Sequence, residues 1–168
     1  MMRLTPNRES YALFALIVSG GLLCGAWLFQ YVLGYAPCTM CYWQRHAHKI
    51  VIGVALLTLI YGRVKGRIYA PLNLLIIFAF LGSAYMALWH AGVEYGIFEE
   101  LKICAAGPTN IGGLSGQDLV DSLSQKTKPP ACSDVVWSFM GLSMAGWNAL
   151  ISLFGAAIGV LSLRRVSL

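Results

Sequence analysis

Four stretches of this sequence are long, apolar and almost free of charge, and they limit the possible folds more than any other feature. The first runs from Tyr11 to about Tyr35 without a charged side chain, and the second from about Tyr42 to Gly62 with charge only at Arg45 and Lys49. The third covers Ile68 to about His90, and the fourth begins near Ser143 within the charge-free interval between Asp134 and Arg164. A helix needs about 20 mostly apolar residues to cross a bilayer. Lipid offers the backbone no hydrogen-bond partners, so uninterrupted stretches of this length are helices; barrel strands would alternate over about ten residues. Composition agrees, because only 11% of the 168 residues are charged and mean hydropathy is +0.67, whereas soluble proteins carry about a quarter charged residues. The first stretch is longer than the apolar core of a cleaved signal peptide, about 7 to 15 residues, and is read as a span.

The expected fold is therefore all-α, a polytopic four-helix membrane bundle forming one domain over residues 1–168. Its spans are about 11–35, 42–62, 68–90 and 143–163, with outer loops at about 36–41 and 91–142. Gly20, Gly21 and Gly25 fit close helix packing. Within the long loop, Ser115 and Asp118 resemble a capping box ahead of Leu119, Val120 and Leu123, which suggests a short surface helix closed by Pro129 and Pro130.

Positive charge orients the bundle. Arg3 and Arg8 precede the first span, Arg63, Lys65 and Arg67 lie between the second and third, and Arg164 and Arg165 follow the fourth. By the Lys/Arg bias of short loops, these segments and both termini face the cytoplasm. The net charge of +5 is then a matter of topology, and nothing in it calls for nucleic acid. Trp27, Tyr31, Tyr35, Tyr42, Trp43 and Trp89 cluster at the outer ends, where interfacial aromatics belong. Cys38, Cys41, Cys104 and Cys132 fall on the outer side, the periplasm in a bacterium, where disulfides persist. Cys24 lies inside the first span and is expected to be a small buried apolar residue.

Cys38 and Cys41 form a Cys-x-x-Cys pair, which can close a small disulfide ring or supply a reactive thiolate. With a helix beginning near Tyr42, Arg45 shares the face of Cys41 four residues earlier. Its charge then either stabilises the Cys41 thiolate and an anionic acceptor or simply snorkels to the headgroups. His48 continues that face, with His46 and Lys49 beside it, and interfacial placement is the expected reading for these histidines. His90 and Glu94, four apart, are expected to be an interfacial pair. Four outer cysteines allow three connectivities. The nearest-neighbour choice pairs Cys38 with Cys41 and Cys104 with Cys132, the second pair serving as an electron relay or as a structural staple.

In this order the features resemble the DsbB family of quinone-dependent thiol oxidases: four spans with both ends inside, Cys38-Thr39-Met40-Cys41 leading into the second span, and Arg45 four residues on. Cys104 and Cys132 on the flanks of the second outer loop and WSFMGLSMAGWN at residues 137–148 complete the likeness. The vitamin K epoxide reductases are related, but place their Cys-x-x-Cys late in the bundle. The resemblance implies an enzyme of the bacterial inner membrane. Its loop pair Cys104 and Cys132 would take electrons from a periplasmic DsbA-like dithiol protein, with Cys104 the attacked sulfur. Cys38 and Cys41 would reoxidise that pair and reduce ubiquinone or menaquinone, Cys41 lying against the quinone ring with Arg45 beside it. Two other classes compete: a metal or haem protein using the Cys-x-x-Cys pair with Cys104, Cys132 or a histidine, and a structural membrane subunit braced by loop disulfides.

Overall fold

The computed structural model describes residues 8–65, 70–101, 104 and 130–164. Four long helices dominate it: α1 (Arg8–Tyr31), α2 (Thr39–Lys65), α3 (Ala70–Glu94) and α4 (Met144–Arg164). Each contains a segment long and apolar enough to cross a membrane. Their outward surfaces carry large apolar side chains, among them Ile17, Ile60, Phe78 and Phe154. An aqueous surface would leave this much apolar area unsatisfied, whereas lipid does not.

Three of the departures of the helix ends from the sequence expectation have a visible local cause. α1 stops at Tyr31, short of Tyr35, where the amides of Val32 and Leu33 both turn back to the Leu28 carbonyl at 3.0 and 3.1 Å. α2 starts at Thr39, ahead of Tyr42, because Cys38 caps it: the Cys41 amide donates to Cys38 Sγ at 3.2 Å, as the third helical amide does to a capping side chain. α3 runs past His90 to Glu94 and closes in a Schellman turn, with Ile97 N–H on the Gly92 carbonyl at 2.8 Å and Gly96 N–H on that of Val93 at 3.1 Å. Gly96 takes φ +70°, and a Cβ on Gly92 would run into the Phe98 ring. Both glycines let the chain fold back so that Phe98 stacks on Trp89 at 4.7 Å between ring centroids.

The chain then returns to α4 through a two-stranded antiparallel hairpin that the sequence did not announce, β1 (Ser138–Phe139) and β2 (Leu142–Ser143). Its two-residue turn puts Met140 and Gly141 at φ 52° and 79°, the positive values that suit the twist of a tight hairpin. Tyr95, just past α3, holds it in place by donating its hydroxyl to the Gly141 carbonyl at 3.0 Å and accepting from the Ser143 amide at 3.1 Å. The surface helix expected around residues 115–123 lies outside the described residues.

The helices form a ring in which α3 packs most extensively on α4, and α2 on both α1 and α3. The seam between α1 and α4 is slight. Away from the cysteines, Tyr11, Ala15, Val51, Ile76, Phe80 and Ala156 make a close-packed core from all four helices. The glycines that permit this are on α4, since a Cβ on Gly155 would sit 3.1 Å from the Phe80 ring and one on Gly159 would strike Tyr11 and Ile77. Gly20, Gly21 and Gly25 were expected to serve close packing, but an added Cβ at any of them meets nothing within 4 Å. Gly21 and Gly25 thin the wall of α1 on the side where the seam is open.

Candidate redox site

The α1–α4 seam holds, at its cysteine end, a cavity of about 240 Å³. Gly21, Gly25 and Phe29 of α1 form its apolar wall, Cys38, Cys41, Arg45 and His48 line it from α2, and Trp137, Trp147 and Asn148 close the side toward the hairpin and α4. Trp137 packs on Phe29 at 5.2 Å and stacks on Phe139 at 6.1 Å, so the hairpin covers the cysteine end of the cavity. The site is thus bounded by apolar surface with a few polar groups, as binding pockets for small molecules usually are.

Cys38 and Cys41 stand at the α2 N-terminus, where the helix dipole and unpaired amides favour negative charge on sulfur. Their sulfurs are 2.7 Å apart. Cys38 is buried at 3% exposure, and the hydrogen bond to Cys41 together with burial pushes its thiol well above the usual range. Arg45 lies one turn further along α2, its guanidinium held by the Gln30 side chain and, at 3.2 Å, by the Ala26 carbonyl. It therefore turns into the bundle toward α1 instead of snorkelling outward. Both the thiol pair and the cation face the cavity.

Cys104 and Cys132 are joined by a disulfide with Cα atoms 5.6 Å apart, the nearest-neighbour pairing. Cys132 is completely buried, in one apolar cluster with Cys38, Met40 and Val93, against which Cys41, Trp89, Leu101 and Cys104 also pack. Its amide donates to Glu100 Oε1 at 2.6 Å. The structure so brings Cys38, Cys41, Cys104 and Cys132 into one neighbourhood, the loop pair packed against the thiol pair.

Residues 8–162 match the family described as disulfide bond formation protein DsbB. The chain belongs to the DsbB family. Proteins named disulfide bond formation protein B are similar to it along nearly their whole lengths. Those of Marinobacter nauticus and Azoarcus sp. are each 30% identical, over 90% and 94% of this chain and 89% and 92% of their own. That of Saccharophagus degradans is also 30% identical, over 94% of this chain and 91% of its own. The chain is thus a multi-pass membrane protein and a disulfide-forming oxidoreductase of the DsbB family.

Four residues stand differently from the sequence reading: His48, His90, Glu94 and Cys24. His48 is not interfacial but buried at 3%, bonded to Asn148 Oδ1 at 2.8 Å and Ser19 Oγ at 3.2 Å. His90 and Glu94 do lie 3.8 Å apart, yet both side chains are buried inside the site, with His90 Nε2 3.5 Å from Cys38 Sγ. Cys24 is exposed on the outer side of α1, because the buried stripe of that helix runs through Ser19 and Leu23 and leaves the next residue turned away. Gln44 and Asn148 were missed altogether. Asn148 sits in an otherwise apolar span, and a polar amide there was the available signal, because such a group must find a partner inside the bundle. Cys38, Cys41 and His90 also place their ligating atoms within 4.8 Å of one another, the cluster that a metal-binding reading would use.

Proposed function

We propose that the protein oxidises a periplasmic DsbA-like dithiol protein and passes the electrons through Cys104–Cys132 and then Cys38–Cys41 to a membrane quinone. The observation that carries this reading is the placement of the thiol pair and Arg45 on the wall of a cavity at the open α1–α4 seam, directly beneath the loop disulfide. A quinone ring fits such a cavity in size and in its apolar wall, and its carbonyls suit the Arg45 guanidinium and the polar groups of His48 and Asn148. The weak seam offers access from the bilayer, where ubiquinone or menaquinone is dissolved. Bound there, the quinone supplies a two-electron acceptor.

The chain's own residues do the rest. A thiolate of the reduced partner attacks Cys104, forming a mixed disulfide and releasing Cys132 as thiolate. Cys132 then attacks Cys38, its neighbour in the buried cluster, so that a Cys38–Cys132 bond forms and the Cys38–Cys41 bond breaks with its electron pair left on Cys41. Arg45 attracts that charge on the cavity side. The partner's second thiolate then attacks the mixed disulfide, so that the partner leaves oxidised and Cys104 is freed as thiolate. Cys104 attacks Cys132, the Cys38–Cys132 bond breaks with its electron pair left on Cys38, and closing Cys38–Cys41 delivers two electrons and leaves the protein ready for another cycle. The Lys/Arg pattern supports a bacterial inner-membrane placement with both termini cytoplasmic and the cysteines periplasmic.

The test is an anaerobic half-reaction. Fully reduced protein is mixed with a soluble ubiquinone analogue, quenched and alkylated. The expected result is loss of alkylation at Cys38 and Cys41 first, with one quinol formed per disulfide. Thiols that stay fully alkylatable in the presence of quinone would refute the reading.

A further inference from the structure

Cys38 is the upper end of a line of buried side-chain hydrogen bonds that runs through α2, α3 and α4. His90 Nε2 lies 3.5 Å from Cys38 Sγ, and Gln44 Nε2 lies 2.8 Å from His90 Nδ1. Asn148 donates through Nδ2 to Gln44 Oε1 at 2.7 Å, and His48 Nε2 lies 2.8 Å from Asn148 Oδ1. The far end rests on hydroxyls, with Ser19 3.2 Å from His48 Nδ1 and Ser83 3.3 Å from its Nε2. All four amide and imidazole side chains are less than a tenth exposed. Polar groups at this depth in a membrane bundle are costly unless paired, and are kept where they serve function.

Amide chemistry gives the line a direction. Gln44 accepts from Asn148 through Oε1, so the group it turns to His90 is its NH2, which donates and has no lone pair to offer. His90 Nδ1 is therefore the acceptor. In a neutral imidazole the proton then resides on the other nitrogen. That nitrogen, Nε2, is the one facing Cys38 Sγ, with Glu94 Oε1 3.8 Å away and the Cys132 backbone also against the ring. Asn148 Oδ1 likewise accepts from His48, so every link donates toward the sulfur. In this tautomer His90 presents a proton to the cysteines and no lone pair, which argues against a metal at the Cys38, Cys41 and His90 cluster.

We propose that Gln44, Asn148 and His48 are positioning residues that lock His90 in its Nε2-protonated tautomer and aim that N–H at Cys38 Sγ, stabilising the charge on this sulfur as it leaves. The inference rests on the thiol-oxidase reading and deepens it. When Cys104 attacks Cys132, the Cys104–Cys132 bond forms, the Cys132–Cys38 bond breaks, and the electron pair stays on Cys38. No proton needs to transfer. The departing sulfur has two donors in place, the Cys41 amide at 3.2 Å and His90 Nε2–H. Arg45 serves Cys41 on the cavity side; His90 serves Cys38 on the side of the loop pair.

The experiment uses full-length protein in detergent with its three histidines labelled with 15N in the ring, the His90 signals being assigned with His90→Gln. The expected spectrum at neutral pH shows His90 protonated at Nε2 with Nδ1 as acceptor; a proton on Nδ1 with a bare Nε2 overturns the proposal. The second readout is release of the Cys38 thiol from a trapped Cys38–Cys132 bond, followed by quenching and alkylation without quinone. Gln44→Met and Asn148→Leu should each slow it about tenfold, the size of one hydrogen bond to a charged group, and shift the His90 Nδ1 resonance. Unchanged rate and resonance in both variants, shown to be folded, overturn the proposal. If the wild-type protein shows no exchange between its cysteine pairs at all, the thiol-oxidase reading fails instead, whatever the tautomer.

Discussion

Cys38 does two things at once, capping α2 with its sulfur and standing between Cys41 and the buried loop disulfide. A serine there could keep the cap, since a hydroxyl accepts from the same amide, but could not carry the exchange. Cys38→Ser is accordingly expected to fold, with an unchanged thermal midpoint in detergent, and to lose electron transfer between the pairs. Arg45→Ala removes the cation from the cavity wall; the Michaelis constant for quinone should rise about tenfold, the loss of one charge-assisted hydrogen bond. Normal quinone kinetics in that variant would take Arg45 out of the mechanism. The sequence made Cys38, Cys41 and Arg45 legible because their spacing on one helix fixes their relation. It could not place His90, Gln44 and Asn148, whose meeting depends on how three helices turn toward one another.

The helices show why the cavity lies where it does. α4 approaches its neighbours through Gly155 and Gly159, whereas α1 spends its glycines on empty space. Gly159→Ala should lower the thermal midpoint, because an extra methyl in a filled core costs about 1 to 3 kcal/mol, while Gly20→Ala should leave it unchanged. Gly25→Leu puts bulk into the cavity wall; it should suppress quinone reduction and spare oxidation of the partner by the loop disulfide, measured as single-turnover mixed-disulfide formation. Equal stability of the two alanine variants would contradict this account of the packing. The existence of the spans was plain from hydropathy, but their ends were not. Those are set by the Cys38 cap, the Gly96 turn and the Tyr95–hairpin bonds, each a local geometry that apolar patterning does not encode.

At the scale of the whole molecule the bundle is asymmetric. One half is close-packed and apolar around Phe80, and the other holds the cysteines, the cavity and the buried polar line. The proposed topology has the second half facing outward, so a maleimide that cannot cross the membrane should label Cys104 of the reduced loop pair in spheroplasts and should not label a cysteine introduced at Arg63. The reverse result would invert the topology and remove the periplasmic partner. The central claim is that electrons cross this asymmetric half from thiols to quinone. The most direct measurement is quinone absorbance over time, with detergent-purified protein, a soluble ubiquinone analogue and a reduced thioredoxin-fold protein, run beside Cys41→Ser. Catalytic loss of the oxidised quinone signal that disappears in the variant is the expected result. A folded wild-type protein that turns over no quinone with any dithiol protein, or a Cys41→Ser variant as active as wild type, would contradict it.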